Sequence, residues 1–199
     1  MSRGKEPKEQ TSFSIKDREI YINGWISEKT LIVVTKAIVY MQRYSCNPII
    51  VIIGHSIGGC AICGLMIYTI LRNAVALVHT IVERRAESAA FIVFLAGKKR
   101  IMLRGSYVYP HWTEVGHPKD TRHNVVELKN ELLYALQVNE RVYQIIKQKT
   151  RLSQEEILFL CANRVPINSA RAKKLKVATH IASRKLFYSK KKPSRKKII

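Results

Sequence analysis

The stretch IIVIIGHSIGG (residues 49–59) decides the fold of this chain, because it joins a buried strand to a glycine-rich turn. Residues 49–53 are all β-branched and show no polar alternation, which is typical of a parallel strand covered on both faces. Residues 60–71 are apolar, and we predict a helix there. Residues 49–71 are together long enough to span a bilayer, but His55 and four glycines interrupt them, so a strand–turn–helix unit explains the sequence better.

Predicted strands and helices alternate on both sides of this unit. Upstream, residues 19–24 alternate apolar and polar side chains before a glycine, and Ser27 begins a helix with one apolar face. A second buried strand over 75–82 and an apolar helix over 88–96 follow. This alternation predicts an α/β domain with a largely parallel sheet. Farther along the chain we predict short strands at 101–103 and 106–109, a helix that begins at 153, a helix over 168–175 and a strand over 176–181.

The longest predicted element is a helix over residues 123–149. Apolar side chains recur along it at the spacing of one helix face. We expect that face to point into the domain, with the inward residues being Val126, Leu132, Leu133, Leu136, Val142 and Ile145.

Length and composition indicate one globular domain in a reducing compartment. The chain has 199 residues, 47% of them hydrophobic, which is enough to bury a core. Its four cysteines fall at irregular spacings in apolar segments, unlike the framework of a small secreted domain. Residues 1–17 lack the apolar segment of a signal peptide and contain acids, which argues against an organelle transit peptide. We predict residues 1–17 to be a flexible segment and residues 18–182 to be the folded domain.

The formal net charge of +21 is concentrated toward the C-terminus. Residues 171–199 carry twelve basic residues and no acid, so the remaining 170 residues carry a net charge of +9. We predict residues 183–199 to be a disordered basic tail. The alternative is an arm that binds RNA, a membrane or a partner protein, but we expect neither nucleic acid nor a membrane to be the main partner.

Two serines stand in sequences typical of nucleophiles, and the first is Ser56. It lies in GHSIG (54–58), the pattern of the sharp strand-to-helix turn that presents the nucleophile of α/β-hydrolases. The rest of the chain fits that fold poorly, because no His-Gly-Gly segment precedes Ser56. Asp120 and His123 would have to complete the site, and they are only three residues apart.

The second is Ser88, which lies in AESAA (86–90) at the start of the apolar helix. Free backbone amides gather at a helix N-terminus and can stabilise an oxyanion there. A serine in this position can also simply cap the helix. Downstream, His111 follows a predicted strand in YVYPHW (107–112), where it is a candidate base.

From residue 18 to 181 the order of these motifs resembles the proteolytic subunit of the ATP-dependent Clp protease. SIGG (56–59) is similar to the family's Ser-Pro-Gly-Gly turn, and AES (86–88) stands where the family has Ala-Ala-Ser. SYVYPH (106–111) resembles the strand that ends in the family's histidine, and NSARA (168–172) resembles its closing helix. The resemblance implies a Clp protease/crotonase-like fold of stacked β-β-α units, with the long helix projecting as a handle.

The same resemblance implies a serine endopeptidase. Ser88 would be the nucleophile and His111 its base, and the backbone N–H groups of Gly59 and Ala89 would form the oxyanion hole, with no metal or cofactor. It also implies stacked heptameric rings, homo- or hetero-oligomeric, that receive unfolded protein from an ATP-dependent Clp chaperone. Residues 77–81 are most similar to plastid members, so we expect the plastid stroma (chloroplast), with the bacterial cytoplasm as the second choice.

The sequence departs from the family at the third catalytic group. Leu160 takes the position of the family's aspartate, and the two aspartates of the chain, Asp17 and Asp120, lie elsewhere. Asn163, three residues after Leu160, is the possible third member. Loss of a triad aspartate typically lowers kcat by roughly 10⁴-fold, so a non-catalytic structural subunit of the same ring is the alternative function. Glu87, beside the nucleophile, would also oppose a nearby oxyanion.

A further motif is a pair of cysteines. Cys60 and Cys63 form a C-x-x-C pair, which could be redox-active or half of a metal site. No second pair completes a metal site, and two small buried helix residues are the simpler interpretation.

Overall fold

The computed structural model describes residues 9–115 and 122–189. Its strands are β1 (Gln10–Ser14), β2 (Glu19–Asn23), β3 (Trp25–Ile26), β4 (Ile49–Ser56), β5 (Gly58–Gly59), β6 (Val78–Glu87), β7 (Lys99–Leu103), β8 (Tyr107–Tyr109), β9 (Ile167–Asn168) and β10 (His180–Ala182). Its helices are α1 (Glu28–Tyr44), α2 (Ala61–Arg72), α3 (Ala89–Leu95), α4 (Val125–Lys149), α5 (Gln154–Asn163), α6 (Ser169–Lys174) and α7 (Arg184–Ser189).

Eight of the described strands form one mixed sheet that is mostly parallel. Its main path runs β1-β2-β4-β6-β7-β10, while β8 pairs with β6 and with β9. Within this sheet β1 runs antiparallel to β2, and β9 runs antiparallel to β8. Strands β3 and β5 form a separate parallel pair. The α/β class predicted from the alternation of elements is confirmed.

The unit predicted from residues 49–71 is confirmed as β4, the short strand β5 and helix α2. Strand β4 lies between β2 and β6, where a strand is covered on both faces. Its Val51 and Ile53 belong to the main apolar core with α1, α2 and α3, whereas Ile52 belongs to a smaller cluster on the opposite face. The run of β-branched residues is explained by this two-sided burial.

Strand β6 is longer than the sequence predicted, and it pairs with β4 along one edge and with two strands, β7 and β8, along the other. Its first half pairs with β7, and its second half, Arg85 to Glu87, pairs with β8. We predicted a strand that stops at residue 82, before three charged residues. The strand continues because Ala86 is buried in the core while Arg85 and Glu87, on the opposite face, stay partly exposed. As a result, β6 ends at Glu87, directly before Ser88.

The described residues near each end of the chain contain more secondary structure than predicted. Residues 10–14 form β1 against β2, so the flexible segment predicted at 1–17 is wrong for these residues, and residues 1–8 lie outside the described part. The basic tail predicted at 183–199 is likewise corrected, since residues 184–189 form α7 and residues 190–199 are not described. Phe187 packs against the smaller apolar cluster, and the Arg184 guanidinium donates to the Glu83 carbonyl at 2.9 Å.

Helix α4 packs on the domain mainly through its second half, although Ala135 in the first half is also buried. Val138, Val142, Ile145 and Ile146 are buried there, whereas Leu132 in the first half is 59% exposed. The inward face predicted for this helix is therefore right for Val142 and Ile145 and wrong for Val126, Leu132, Leu133 and Leu136, which are exposed in the single chain. Within the described residues, every helix is too short or too polar to cross a lipid bilayer.

A buried arginine, Arg100, joins the ends of several helices. Its guanidinium donates to the carbonyl oxygens of Gly97, Lys149, Lys176 and Val177 at 2.8–3.3 Å. Carbonyls at a helix C-terminus lack partners within the helix and carry partial negative charge. A cation that donates to them therefore ties α4 and the segment after α6 to the sheet.

We expect the substitution Arg100→Leu to lower the free energy of unfolding by about 3 kcal/mol, because buried carbonyls lose their donor. Chemical denaturation followed by circular dichroism measures this change. Arg104→Leu, which replaces an exposed arginine just after the same strand, is the matched control and should change the free energy by less than about 0.5 kcal/mol. Equal effects of the two substitutions would contradict the role given to Arg100.

Candidate active site

Two neighbouring parallel strands deliver Ser88 and His111 to the same edge of the sheet. Strand β6 ends at Glu87 and β8 ends at Tyr109, and these two residues are partners in the register. The Ser88 backbone N–H donates to the Tyr109 carbonyl at 2.9 Å, which continues the pairing one residue beyond β6. Because the carboxyl ends of parallel strands meet at one edge, the residues that follow them lie close together.

Ser88 and His111 line one cavity. Its wall is otherwise largely apolar and comes from the first turns of α2 and α3, the segment after β8 and the buried half of α4. The two side chains form no hydrogen bond with each other in this structure, and catalytic hydrogen bonds often tighten only when substrate binds. The residues that line the cavity are Ala61, Ser88, Ala89, Phe91, Ile92, Pro110, His111, Thr113 and Val142.

The backbone of Ser88 is held in a conformation that favours glycine. Its φ is 51° and its ψ is −123°, a combination that costs a non-glycine residue on the order of 1–3 kcal/mol. Ser88 occupies the N-cap position of α3, yet its side chain makes no capping hydrogen bond. The hydroxyl is therefore not used to cap the helix, which was the alternative explanation for a serine at this position.

A tight glycine turn faces the nucleophile candidate. Gly58 has a φ of 94°, and a Cβ atom there would lie 2.5 Å from Ser88 Cβ and 3.2 Å from Ser88 Oγ. Only glycine leaves room for this approach. Gly59 follows on the same turn, and Ala89 is the first residue of α3, so its amide has no acceptor within the helix. These are the two amides predicted for the oxyanion hole.

Ser56 stabilises this turn through two hydrogen bonds. It is completely buried, its hydroxyl donates to the Gly24 carbonyl at 2.6 Å, and it accepts from the Gly58 N–H at 3.3 Å. A nucleophile must be reached by substrate, and a fully buried hydroxyl is not. The elbow-like sequence around Ser56 therefore builds the turn beside Ser88, in agreement with its resemblance to the family's Ser-Pro-Gly-Gly turn.

His111 is oriented by a backbone carbonyl. Its Nδ1 lies 2.6 Å from the Trp112 carbonyl oxygen. Because a carbonyl oxygen can only accept, Nδ1 must be the protonated nitrogen and donate to it. In the neutral imidazole, Nε2 is then the nitrogen with the lone pair that a general base requires. Trp112 packs against the main core, which holds its carbonyl in place.

Neither Leu160 nor Asn163 contacts His111 through a hydrogen bond. Leu160 is 1% exposed and belongs to the apolar core. Asn163 is exposed, and its side-chain amide donates to the Phe159 carbonyl of its own helix at 2.8 Å. Asp17 accepts from the Ser14 hydroxyl near the N-terminus, and Asp120 lies outside the described residues.

Two contacts that the sequence did not indicate hold the segment after His111. The Thr113 N–H donates to the side-chain oxygen of Asn139 on α4 at 2.8 Å. Glu114 forms an ion pair with Arg164, which ends α5. Helices α4 and α5 thus position the loop that carries the imidazole.

The charge of Glu87 is balanced by a neighbour. Its carboxylate pairs with the Arg85 guanidinium, two residues earlier on the same face of β6. That guanidinium also lies over the Tyr109 ring, 4.8 Å from its centroid. The repulsion expected between Glu87 and an oxyanion is reduced accordingly.

Comparisons with known proteins agree with the fold. A family model described as Clp protease matches residues 2–185. Among solved structures, ClpP1 from Listeria monocytogenes, in an asparagine-to-aspartate variant, is similar with a TM-score of 0.75 and 22% identity, covering 85% of this chain and 93% of that chain. At this identity the likeness shows the fold alone, and it confirms the fold that the sequence resemblance implied. No curated protein matches the chain.

We expect the free energy of unfolding of Ser88→Gly to be about 1 kcal/mol higher than that of Ser88→Ala, because glycine adopts the backbone angles of residue 88 without strain. Both variants lack the hydroxyl, so the difference between them isolates the backbone. Urea denaturation of the two proteins measures it. An alanine variant as stable as the glycine variant would show that residue 88 is unstrained.

Proposed function

The chain belongs to the Clp protease family, and we propose that it is a serine endopeptidase subunit of an ATP-dependent Clp protease, with Ser88 as nucleophile and His111 as general base. The observation that carries this proposal is the cavity that the two side chains share at the ends of β6 and β8. The strained, uncapped Ser88 and the imidazole with a free Nε2 both fit these roles.

The reaction is acyl transfer to and from Ser88. Ser88 Oγ attacks the carbonyl carbon of a peptide bond while its proton passes to Nε2 of His111. The amides of Gly59 and Ala89 stabilise the oxyanion of the tetrahedral intermediate. The carbon–nitrogen bond then breaks as His111 gives its proton to the leaving amine, and an acyl-serine ester remains. A water molecule, deprotonated by His111, hydrolyses this ester and regenerates the hydroxyl.

The Trp112 carbonyl takes over one of the two tasks of a triad aspartate. It selects the tautomer of His111 that can accept the Ser88 proton. It carries no full charge, so it stabilises the imidazolium less than a carboxylate does. In serine proteases, a substitution that removes the charge and also leaves the histidine in the wrong tautomer lowers kcat by about 10⁴-fold. We expect a smaller reduction here, because the tautomer is preserved.

A second candidate function is a non-catalytic subunit of the same ring complex. The observation that favours it is the apolar Leu160 at the position of the family's aspartate, with Asn163 bound to its own helix. In this case the cavity would persist as part of the fold without turning over substrate.

Assembly into rings is part of both candidates. Members of the family generally form rings that work with Clp ATPases, and the exposed apolar residues on the first half of α4 fit burial against neighbouring subunits. We propose homo- or hetero-oligomeric rings, a Clp chaperone as partner and unfolded protein as substrate. The plastid stroma stays our prediction for the compartment, with the bacterial cytoplasm second.

A fluorophosphonate probe distinguishes the candidates, because it reacts covalently with an activated serine. We expect labelling at Ser88, identified by peptide mass spectrometry and absent from Ser88→Ala. His111→Ala should label at least about 10²-fold more slowly, since the general base is lost.

Ser56→Ala is the matched control for the competing serine. It should keep the label on Ser88, although more slowly, because the turn loses two hydrogen bonds. A label on Ser56 would refute the assignment of the nucleophile. An unlabelled Ser88 in the assembled ring would support the non-catalytic subunit instead.

A further inference from the structure

The two cysteines of the C-x-x-C motif are in contact at the start of α2. Cys60 is the N-cap residue, and its sulfur accepts from the Cys63 backbone N–H at 3.1 Å. The Cys60 side chain is also close enough to raise the pKa of the Cys63 thiol. Residues three apart in an α-helix have Cα atoms about 5 Å apart, which lies within the range that a disulfide spans. The pair can therefore close without a large movement of the backbone.

The two thiols differ in their exposure. Cys60 is partly exposed, whereas Cys63 is 3% exposed and packs in the main core. Burial, together with the hydrogen bond to Cys60, raises the pKa of Cys63 to about 12, so this thiol stays protonated at neutral pH. An accessible first thiol with a buried second thiol behind it is the arrangement that disulfide exchange requires, because the first is attacked from solvent and the second resolves the mixed disulfide.

Capping alone does not explain a cysteine at this position. The N-caps of α1, α4, α5 and α6 are serine or asparagine, and each accepts through a side-chain oxygen. A thiol is a weaker acceptor than these groups. Helix α2 thus begins with a weak cap, and the Cys60 side chain that provides it is capable of thiol–disulfide exchange.

The pair is directly connected to the candidate active site. Cys60 follows Gly59, the residue predicted for the oxyanion hole, and its N–H donates to the Ile26 carbonyl at 2.8 Å. Ala61, the next residue, lines the cavity of Ser88. Gly64 lies so close to α3 that a Cβ atom there would be 2.8 Å from the Ala89 Cβ. A shift in the first turn of α2 is therefore transmitted to both oxyanion amides.

We propose that Cys60 and Cys63 form a reversible disulfide that distorts the oxyanion turn and slows the reaction of Ser88. The effect on Ser88 rests on the function proposed above. Closure of the disulfide draws the Cys60 sulfur toward Cys63, removes it as the cap of the Cys63 amide and displaces Gly59. No third histidine, cysteine or carboxylate joins the pair within the described residues, so a metal site does not compete with this assignment.

The oxidant is a disulfide such as glutathione disulfide. The Cys60 thiolate attacks one of its sulfur atoms, breaks the sulfur–sulfur bond and releases one glutathione thiolate. Cys63 loses its proton, attacks the Cys60 sulfur of the mixed disulfide and releases the second glutathione. Two protein thiols are oxidised to one disulfide, one glutathione disulfide is reduced to two glutathione thiols, and the two protons end on those thiols.

The test uses the 199-residue chain in buffers of increasing ratio of oxidised to reduced glutathione. The chain carries Cys46→Ser, which removes the exposed thiol that follows α1. Free thiols are alkylated, and the disulfide is mapped by mass spectrometry. We expect a Cys60–Cys63 disulfide that a dithiol reductant reverses.

Two further readouts follow the active site in the same samples, namely fluorophosphonate labelling of Ser88 and amide hydrogen exchange of residues 54–64. We expect oxidation to slow labelling by about 10²-fold, the effect of losing one oxyanion donor, and to speed exchange in the turn. Cys60→Ser keeps an N-cap oxygen and cannot form the disulfide, so its labelling should be the same in oxidising and reducing buffer.

Two outcomes overturn the proposal, and a third overturns the proposed function alone. Free thiols at Cys60 and Cys63 at every glutathione ratio overturn it, and so does a disulfide that leaves both labelling and exchange unchanged. Labelling absent even from the reduced chain refutes the proposed function instead. In that case, disulfide mapping and amide exchange still decide whether a reversible Cys60–Cys63 disulfide distorts the turn.

Discussion

The parallel pairing of the last residues of β6 with β8 is the constraint on which the candidate site depends. It sets the ends of two strands side by side, and the hydrogen bond from the Ser88 N–H to the Tyr109 carbonyl holds the backbone of Ser88 in place. Strain at a functional residue persists only where its surroundings determine it. Here the hydrogen bond to the Tyr109 carbonyl on one side and the close approach of Gly58 on the other fix the backbone of Ser88.

Orientation and charge, which a triad aspartate provides together, are separated in this protein. The Trp112 carbonyl supplies orientation, and Leu160, which the sequence resemblance predicted in place of the family's aspartate, packs in the core. The loop that carries His111 is held instead by Asn139 on α4 and by the ion pair of Arg164 with Glu114. The candidate site therefore places a serine and an imidazole on one cavity, and the imidazole is oriented by a neutral group instead of a carboxylate. This separation is why both an active and a non-catalytic subunit are physically reasonable.

Part of the large positive charge serves the fold itself. Basic residues occupy the last turns of α1, α2, α4 and α6, where they oppose the partial negative charge of the helix ends. Arg100 extends the same principle into the interior, since its guanidinium is held entirely by carbonyl oxygens among the described contacts. A net charge of +21 is thus a weaker indication of nucleic acid than its size suggests.

The sequence by itself determined the strand–turn–helix unit at residues 49–71, the α/β class, the position of Ser88 at the start of an apolar helix and that of His111 after a strand. Burial on two faces and the start of an apolar helix leave local patterns of apolar residues, which can be recognised without a structure. The order of the motifs carried the family for the same reason.

Tertiary structure alone decided the rest, because the remaining features depend on partners far apart in the chain. β6 continues through charged residues because β4 and β8 pair with its second half and Ala86 is buried, and much of the apolar face of α4 is exposed because the domain covers only one end of the helix. Ser56 became a support for the turn through Gly24, 32 residues away. The group facing His111 is a backbone carbonyl, and every residue has one, so no side-chain pattern could have identified it.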